Sequence, residues 1–126
     1  NSKKKLLEIV KTNGHIEFNE TSKEMGLKIT QIKKLLSEVG LENAEAEGFL
    51  IKQGTEFISK ISIAQKINEM GKFSFVDFAS KFGISEDNSK KILAKLLTEN
   101  MIKGAFSSDG RGFVTEHNLM NEIVKD

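Results

Sequence analysis

The sequence contains no cysteine, proline, tryptophan or tyrosine. Without cysteine there is no disulfide, no thiol nucleophile and no zinc finger, and the two histidines, His15 and His117, stand too far apart to give a local metal-ligand spacing. No apolar run is long enough to cross a bilayer; the stretches are short, such as Gly48-Phe49-Leu50-Ile51, and no signal-peptide pattern opens the chain. The expectation is a soluble, cytoplasmic protein. An excess of one charge is also missing. Nineteen basic groups face 18 acidic ones, a net of +1, so no overall field draws phosphate or membrane, and a nucleic-acid site needs a local basic patch. Neither histidine stands in a triad pattern with a Ser nucleophile, the carboxylates are scattered rather than paired, and no Gly-rich phosphate loop of the usual spacings occurs. These absences predict a protein that is not an enzyme and takes no cofactor or metal. Asn1 in place of Met points to a processed chain or a piece of a longer one.

What is present is 38% hydrophobic residues, enough to leave the disordered class, and an internal repeat. Gly14-His15-Ile16-Glu17-Phe18 matches Gly71-Lys72-Phe73-Ser74-Phe75, and the match runs on ungapped: Gly26 falls on Gly83, Lys33-Lys34 on Lys90-Lys91, Leu36 on Leu93. Two units in series follow, residues 1–54 and 55–126. Units of this size bury only about 60% of their unfolded surface, so each is marginal alone.

In the second unit, Thr55 precedes Phe57, Ile58, Ile61, Ala64, Ile67 and Met70, which predicts one helix capped by Thr55 and ended by Gly71. Lys72 to Phe75 alternates like a strand, Phe75, Phe78, Ala79 and Phe82 return to helical spacing up to Gly83, and Ser85 caps a third helix that buries Ile92, Leu93, Leu96 and Leu97. Ile102 to Phe106, the turn Ser107-Ser108-Asp109-Gly110-Arg111-Gly112 and Phe113-Val114 predict a β-hairpin, and a short helix from Thr115 to Val124 closes the chain. The first unit repeats this order with a strand at Ile16 and Phe18, a second helix over Ser22 to Met25 and a third built on Ile29, Ile32, Leu36 and Val39. Its hairpin is predicted to be short or irregular, with only Gly48 to Lys52 strand-like. Helix, strand, helix, helix, hairpin is the order of a winged helix. The fold class expected is therefore α+β, mainly helical: two tandem winged-helix units with short antiparallel hairpin wings.

Two places carry candidate contacts. At the start of the third helix of the first unit, Lys28, Thr30, Gln31 and Lys34 lie off the apolar stripe and have the chemistry for phosphate and base edges, whereas the second unit has Glu86 and Asp87 there, which repel phosphate. The same lysines equally suit a solvated helix face, and Glu86 with Lys90 and Asp87 with Lys91 have the favourable spacing of four. In the second hairpin turn Arg111 stands between Gly110 and Gly112, suited to a phosphate or to a partner's carboxylate, or simply solvated. The terminal run Lys3-Lys4-Lys5 reads as a solubilising terminus.

The stretch Phe73 to Ile84, then Leu96-Leu97-Thr98-Glu99-Asn100-Met101-Ile102-Lys103-Gly104 and Asp109-Gly110-Arg111-Gly112-Phe113-Val114-Thr115, resembles the ligase for the ubiquitin-fold modifier and its DDRGK-domain partner. The hairpin text matches at Asp109, Arg111, Gly112 and Thr115, and lacks the lysine that closes the partner's signature. The first unit, from Gly14 onward, is similar to the preceding winged helix of the ligase. The resemblance implies a scaffold without a catalytic cysteine that binds a modifier-conjugating enzyme or a DDRGK-like adaptor, with Asp109, Arg111, Gly112 and Phe113 as contact residues. Two other uses of the same fold stay open. One is a DNA-binding regulator reading through Lys28, Thr30, Gln31 and Lys34 with Arg111 as a wing contact; the other is a subunit of an endosomal sorting complex.

Overall fold

A helix, a strand and two further helices precede a strand pair, and this series occurs twice. The computed structural model describes residues 2–116, and the chain divides into two compact units, Asn1–Ile63 and Ala64–Asp126. The architecture is α+β, with six α-helices and two small antiparallel three-stranded sheets among the described residues. None of the described helices is long and apolar enough to cross a membrane.

The first unit opens with α1 (Ser2–Asn13), which buries Leu6 and Val10 and stops at Gly14, whose φ of +70° suits a residue without a Cβ. The strand β1 (His15–Glu17) runs directly into α2 (Phe18–Met25), where Glu17 accepts a hydrogen bond from the Asn19 N–H at 3.1 Å and so caps the first turn. The helix begins four residues before the predicted Ser22, because Phe18 is its buried anchor and Glu17 its cap. After the left-handed Gly26, α3 (Ile29–Glu42) buries Ile32, Leu36 and Val39. A 3₁₀ turn, Ala44–Ala46, then leads into β2 (Gly48–Ile51).

The segment after Thr55 differs from the expected helix. Glu56–Ser59 is a strand, β3, lying between β1 and β2, with Ile16 opposite Phe57 and Leu50 opposite Phe57 on its other side. Phe57 and Ile58 suit a strand as well as a helix, and strand pairing on both sides satisfies the backbone where a helix would leave β1 and β2 unpaired. Thr55 consequently caps nothing; its hydroxyl donates to the Lys52 carbonyl at 2.8 Å inside the hairpin turn. The helix α4 (Lys60–Met70) starts later, with Ser59 Oγ accepting from the Ser62 N–H at 3.1 Å. Where the sequence drew the boundary at 54/55, β3 carries residues 56–59 into the first unit's sheet. The first hairpin is thus a regular antiparallel pair.

In the second unit α4 stops at Gly71, and β4 (Lys72–Ser74), α5 (Phe75–Phe82) and α6 (Glu86–Thr98) follow, with Ser74 and Ser85 accepting cap hydrogen bonds from Asp77 N–H and Asn88 N–H, each at 3.1 Å. The hairpin is β5 (Gly104–Phe106) and β6 (Gly112–Thr115), with β6 central. The predicted closing helix to Val124 and His117 lie outside the described residues from 117 on. The core is a train of phenylalanines. Phe78 stacks on Phe73 at 5.3 Å between ring centres and meets Phe82 at 4.7 Å, and Phe73 meets Phe113 at 5.8 Å.

The sheet orders, β1-β3-β2 and β4-β6-β5, are the same. From the first strand to the third helix equivalent residues are 57 apart, Phe18 with Phe75; in the hairpins they are 56 apart, Phe57 with Phe113. The third helix accounts for the difference, with 14 residues in α3 and 13 in α6. Even the glycine that starts each hairpin is duplicated. A Cβ on Gly48 would strike the Ile58 carbonyl and lie 2.6 Å from the tip of the Phe57 ring; on Gly104 it would strike the Val114 carbonyl and lie 2.8 Å from the tip of Phe113.

Candidate functional site

The start of α3 carries Lys28, Thr30, Gln31 and Lys34, all exposed, and no acidic residue in its first turn. Gln31 is partly committed, since its side-chain oxygen accepts from the Lys28 N–H at 2.9 Å, closing the helix start. The neighbouring Lys33 lies over the Phe18 ring, 5.2 Å from its centre, and Lys90 lies over Phe75 at 5.4 Å, so these two lysines cap equivalent rings. Lys90, which its spacing pairs with Glu86, is therefore held on an aromatic face. At the start of α6, Glu86 and Asp87 are exposed where the positive end of the helix favours them, and a phosphate there would meet both charges.

The turn between β5 and β6 is more tightly built. Asp109 accepts from the Ser107 hydroxyl at 2.6 Å and from the Arg111 N–H at 2.9 Å, Ser107 Oγ accepts from the Gly112 N–H at 2.9 Å, and Gly110 takes a φ of +72°. The hydrogen bond from Ser107, then that from the Arg111 N–H, holds the Asp109 carboxyl below its ordinary range. The Arg111 carbonyl in turn accepts from the Phe75 N–H at 2.8 Å. The backbone of Arg111 is fixed on both sides while its side chain is exposed. An open groove of about 260 Å³ lies beside it, lined by Lys72, Ser74, Ser107, Asp109, Arg111 and Gly112 together with atoms of Phe73, Phe113 and Val114.

Of the expected contact residues, Asp109, Arg111 and Gly112 meet in this turn. Phe113 does not share their surface: it is fully buried, with its ring against Phe73 and Phe106, because β6 is the central strand of its sheet and is buried at all four positions. Lys28, Thr30, Gln31 and Lys34 lie in the first unit and form a separate candidate surface.

Three features escaped the sequence reading. Leu50 and Phe106, at equivalent positions of the outer hairpin strands, are 52% and 44% exposed, so each hairpin edge carries one large apolar side chain. His15 pairs across the sheet with Glu56. Lys60, almost wholly buried, pairs with Glu47 at 2.7 Å. The Lys60 N–H also donates to the Glu47 carbonyl, as the Glu116 N–H does to Lys103, and the charges at these equivalent positions are exchanged. Only the 56-residue hairpin register, which a single ungapped offset hides, would have aligned them.

Among the described residues no group of three His, Asp or Glu side chains is placed to hold a metal, and no buried side-chain nitrogen or oxygen lacks a hydrogen-bond partner. No protein-family model matches the chain, nor does any curated protein sequence.

Proposed function

We propose that the chain is a tandem winged-helix module that works by binding other proteins, related to the ligase scaffold of ubiquitin-fold modification. The observation that carries this reading is the turn around Arg111: a hydrogen-bonded loop that fixes the backbone and presents an exposed guanidinium beside an open groove. The repeated helix, strand, helix, helix, hairpin order with a central last strand supports the winged-helix assignment for both units. The near-zero net charge and the acidic start of α6 favour a protein partner over a polyanion for the second unit. The partners the resemblance points to are a modifier-conjugating enzyme and a DDRGK-like adaptor. The immobilised chain is expected to retain one of them at low salt, and Arg111→Ala to weaken that retention. Absence of retention for both would remove the ligase-related part of the reading.

A DNA-binding regulator is the second reading, favoured by the exposed Lys28, Thr30, Gln31 and Lys34 and the acid-free first turn of α3. Gel-shift titration separates the two, since a regulator binds duplex DNA with an affinity that falls steeply with salt. An endosomal sorting subunit would share the protein-binding logic and differ in its partner.

A further inference from the structure

Both hairpin turns are anchored alike, the Thr55 carbonyl accepting from the Phe18 N–H at 3.1 Å as the Arg111 carbonyl accepts from the Phe75 N–H. Their backbones differ. In the first turn Lys52 and Gln53 hold left-handed φ values of 53° and 60°, a region that glycine enters freely and residues with a Cβ do not, whereas the second turn leaves it to Gly110. The strand after the strained turn, β3, finds both of its sheet neighbours, β1 and β2, upstream of that turn, and the second unit begins soon after it, at Ala64. If the turn opens and straightens, the strain is released, and the pairing that β3 gives up in its own sheet is remade, residue for residue, between β1 and β2 of a second copy. Short turns under strain invite such exchange.

We propose that the chain forms a dimer by reciprocal exchange of β3, with the turn at Lys52 and Gln53 as the hinge and a second copy of the chain as the partner. The proposal goes beyond the protein-binding reading above and does not depend on it. The duplication supplies a rival for the place of β3, since β6 is its equivalent, and charge rejects that rival. Lys60, which follows β3, is almost wholly buried and pairs with Glu47 at 2.7 Å, while its N–H donates to the Glu47 carbonyl. The residue that follows β6 is Glu116, whose N–H donates to the Lys103 carbonyl in the same way. Set beside β2, β6 would bring Glu116 against Glu47, two like charges in place of an ion pair. It would also put Gly112 where Glu56 meets His15. Only another β3 brings both partners.

The test unfolds the chain in urea, refolds it at micromolar and at millimolar concentration, and reads the mass by light scattering. A dimer is expected from the concentrated sample, and it should persist on dilution, because reverting requires β3 to leave a sheet. Refolded from an equimolar mixture of isotope-labelled and unlabelled chains, that dimer should show isotope-filtered NOEs from Ile16 and Leu50 of one copy to Phe57 of the other, its opposite residue on both sides. Lys52→Gly combined with Gln53→Gly removes the strain from the closed turn and should lower the dimer-to-monomer ratio at least about tenfold. Ser108→Gly, in the second turn, should leave the ratio unchanged. Monomer at both concentrations, or a dimer whose NOEs between copies miss β3, would overturn the proposal. So would NOEs joining Leu50 of one copy to Phe113 of the other, or a glycine variant that dimerises as strongly as the unaltered chain. Should the glycine variant fail to fold, the NOEs decide alone.

Discussion

The two hairpin turns close equivalent strands in different ways. In the first unit Lys52, Gln53 and Gly54 take successive positive φ values of 53°, 60° and 86°, two of them on residues that carry a Cβ. Left-handed backbone costs such residues on the order of 1 kcal/mol each. In the second unit the turn leaves the left-handed region to Gly110 alone and is braced by Asp109 and Ser107. What the two copies share is therefore scaffold: the Gly48 and Gly104 approach, the Phe18 and Phe75 rings under lysines, and the hydrogen bond from each of those phenylalanines to the turn. What they do not share is where contact chemistry has room to differ, basic at the start of α3 and hydrogen-bonded around Arg111 in the second hairpin.

That comparison breaks most readily at its shared parts. Phe18→Ala and Phe75→Ala each remove a buried ring at equivalent positions and are expected to cost about 3–5 kcal/mol in urea unfolding of the full chain. A large loss at one position with little at the other would show that the two cores are not built alike. Gly48→Ala and Gly104→Ala should each cost about 2–3 kcal/mol, because the added methyl meets a neighbouring strand's carbonyl, which cannot swing aside as a side-chain tip can. Smaller again, Lys33→Ala and Lys90→Ala are expected to lose about 0.5–1 kcal/mol apiece, and a null effect at both would mean the lysines are merely solvated.

The smallest effect sharpens the difference between the turns. Asp109 has a folded-state pKa below its ordinary 3.8, so its stabilisation is present above that value and is lost as pH falls through the lower, folded one. Asp109→Asn should accordingly melt slightly below the unaltered protein at neutral pH, with the gap closing in strong acid. A gap that stays constant across that range would show the carboxylate charge to be irrelevant to the turn.

Much of this molecule is written locally. Ser85 as a cap, Gly83 and Gly71 as helix stops, the apolar faces of α3, α5 and α6, and the turn at Gly110 all rest on interactions spanning a few residues. The contact residues were legible to a lesser degree: Arg111 stood out between two glycines, but Phe113 beside it is core. Two residues apart, they would share a face of one strand, but Arg111 lies in the turn and Phe113 in the central strand β6, buried at all four positions, and only the sheet order makes that difference.

The sequence by itself determined that one pattern occurs twice, where its helices end, and that no cysteine chemistry is available. Tertiary structure alone decided that Glu56–Ser59 is a central strand rather than a helix, that Lys60 is buried against Glu47, and that Arg111 is held beside a groove. The reason is range: a helix closes its hydrogen bonds within four residues of itself, whereas β3 finds its partners at His15–Glu17 and Gly48–Ile51, and nothing in its own four residues names them.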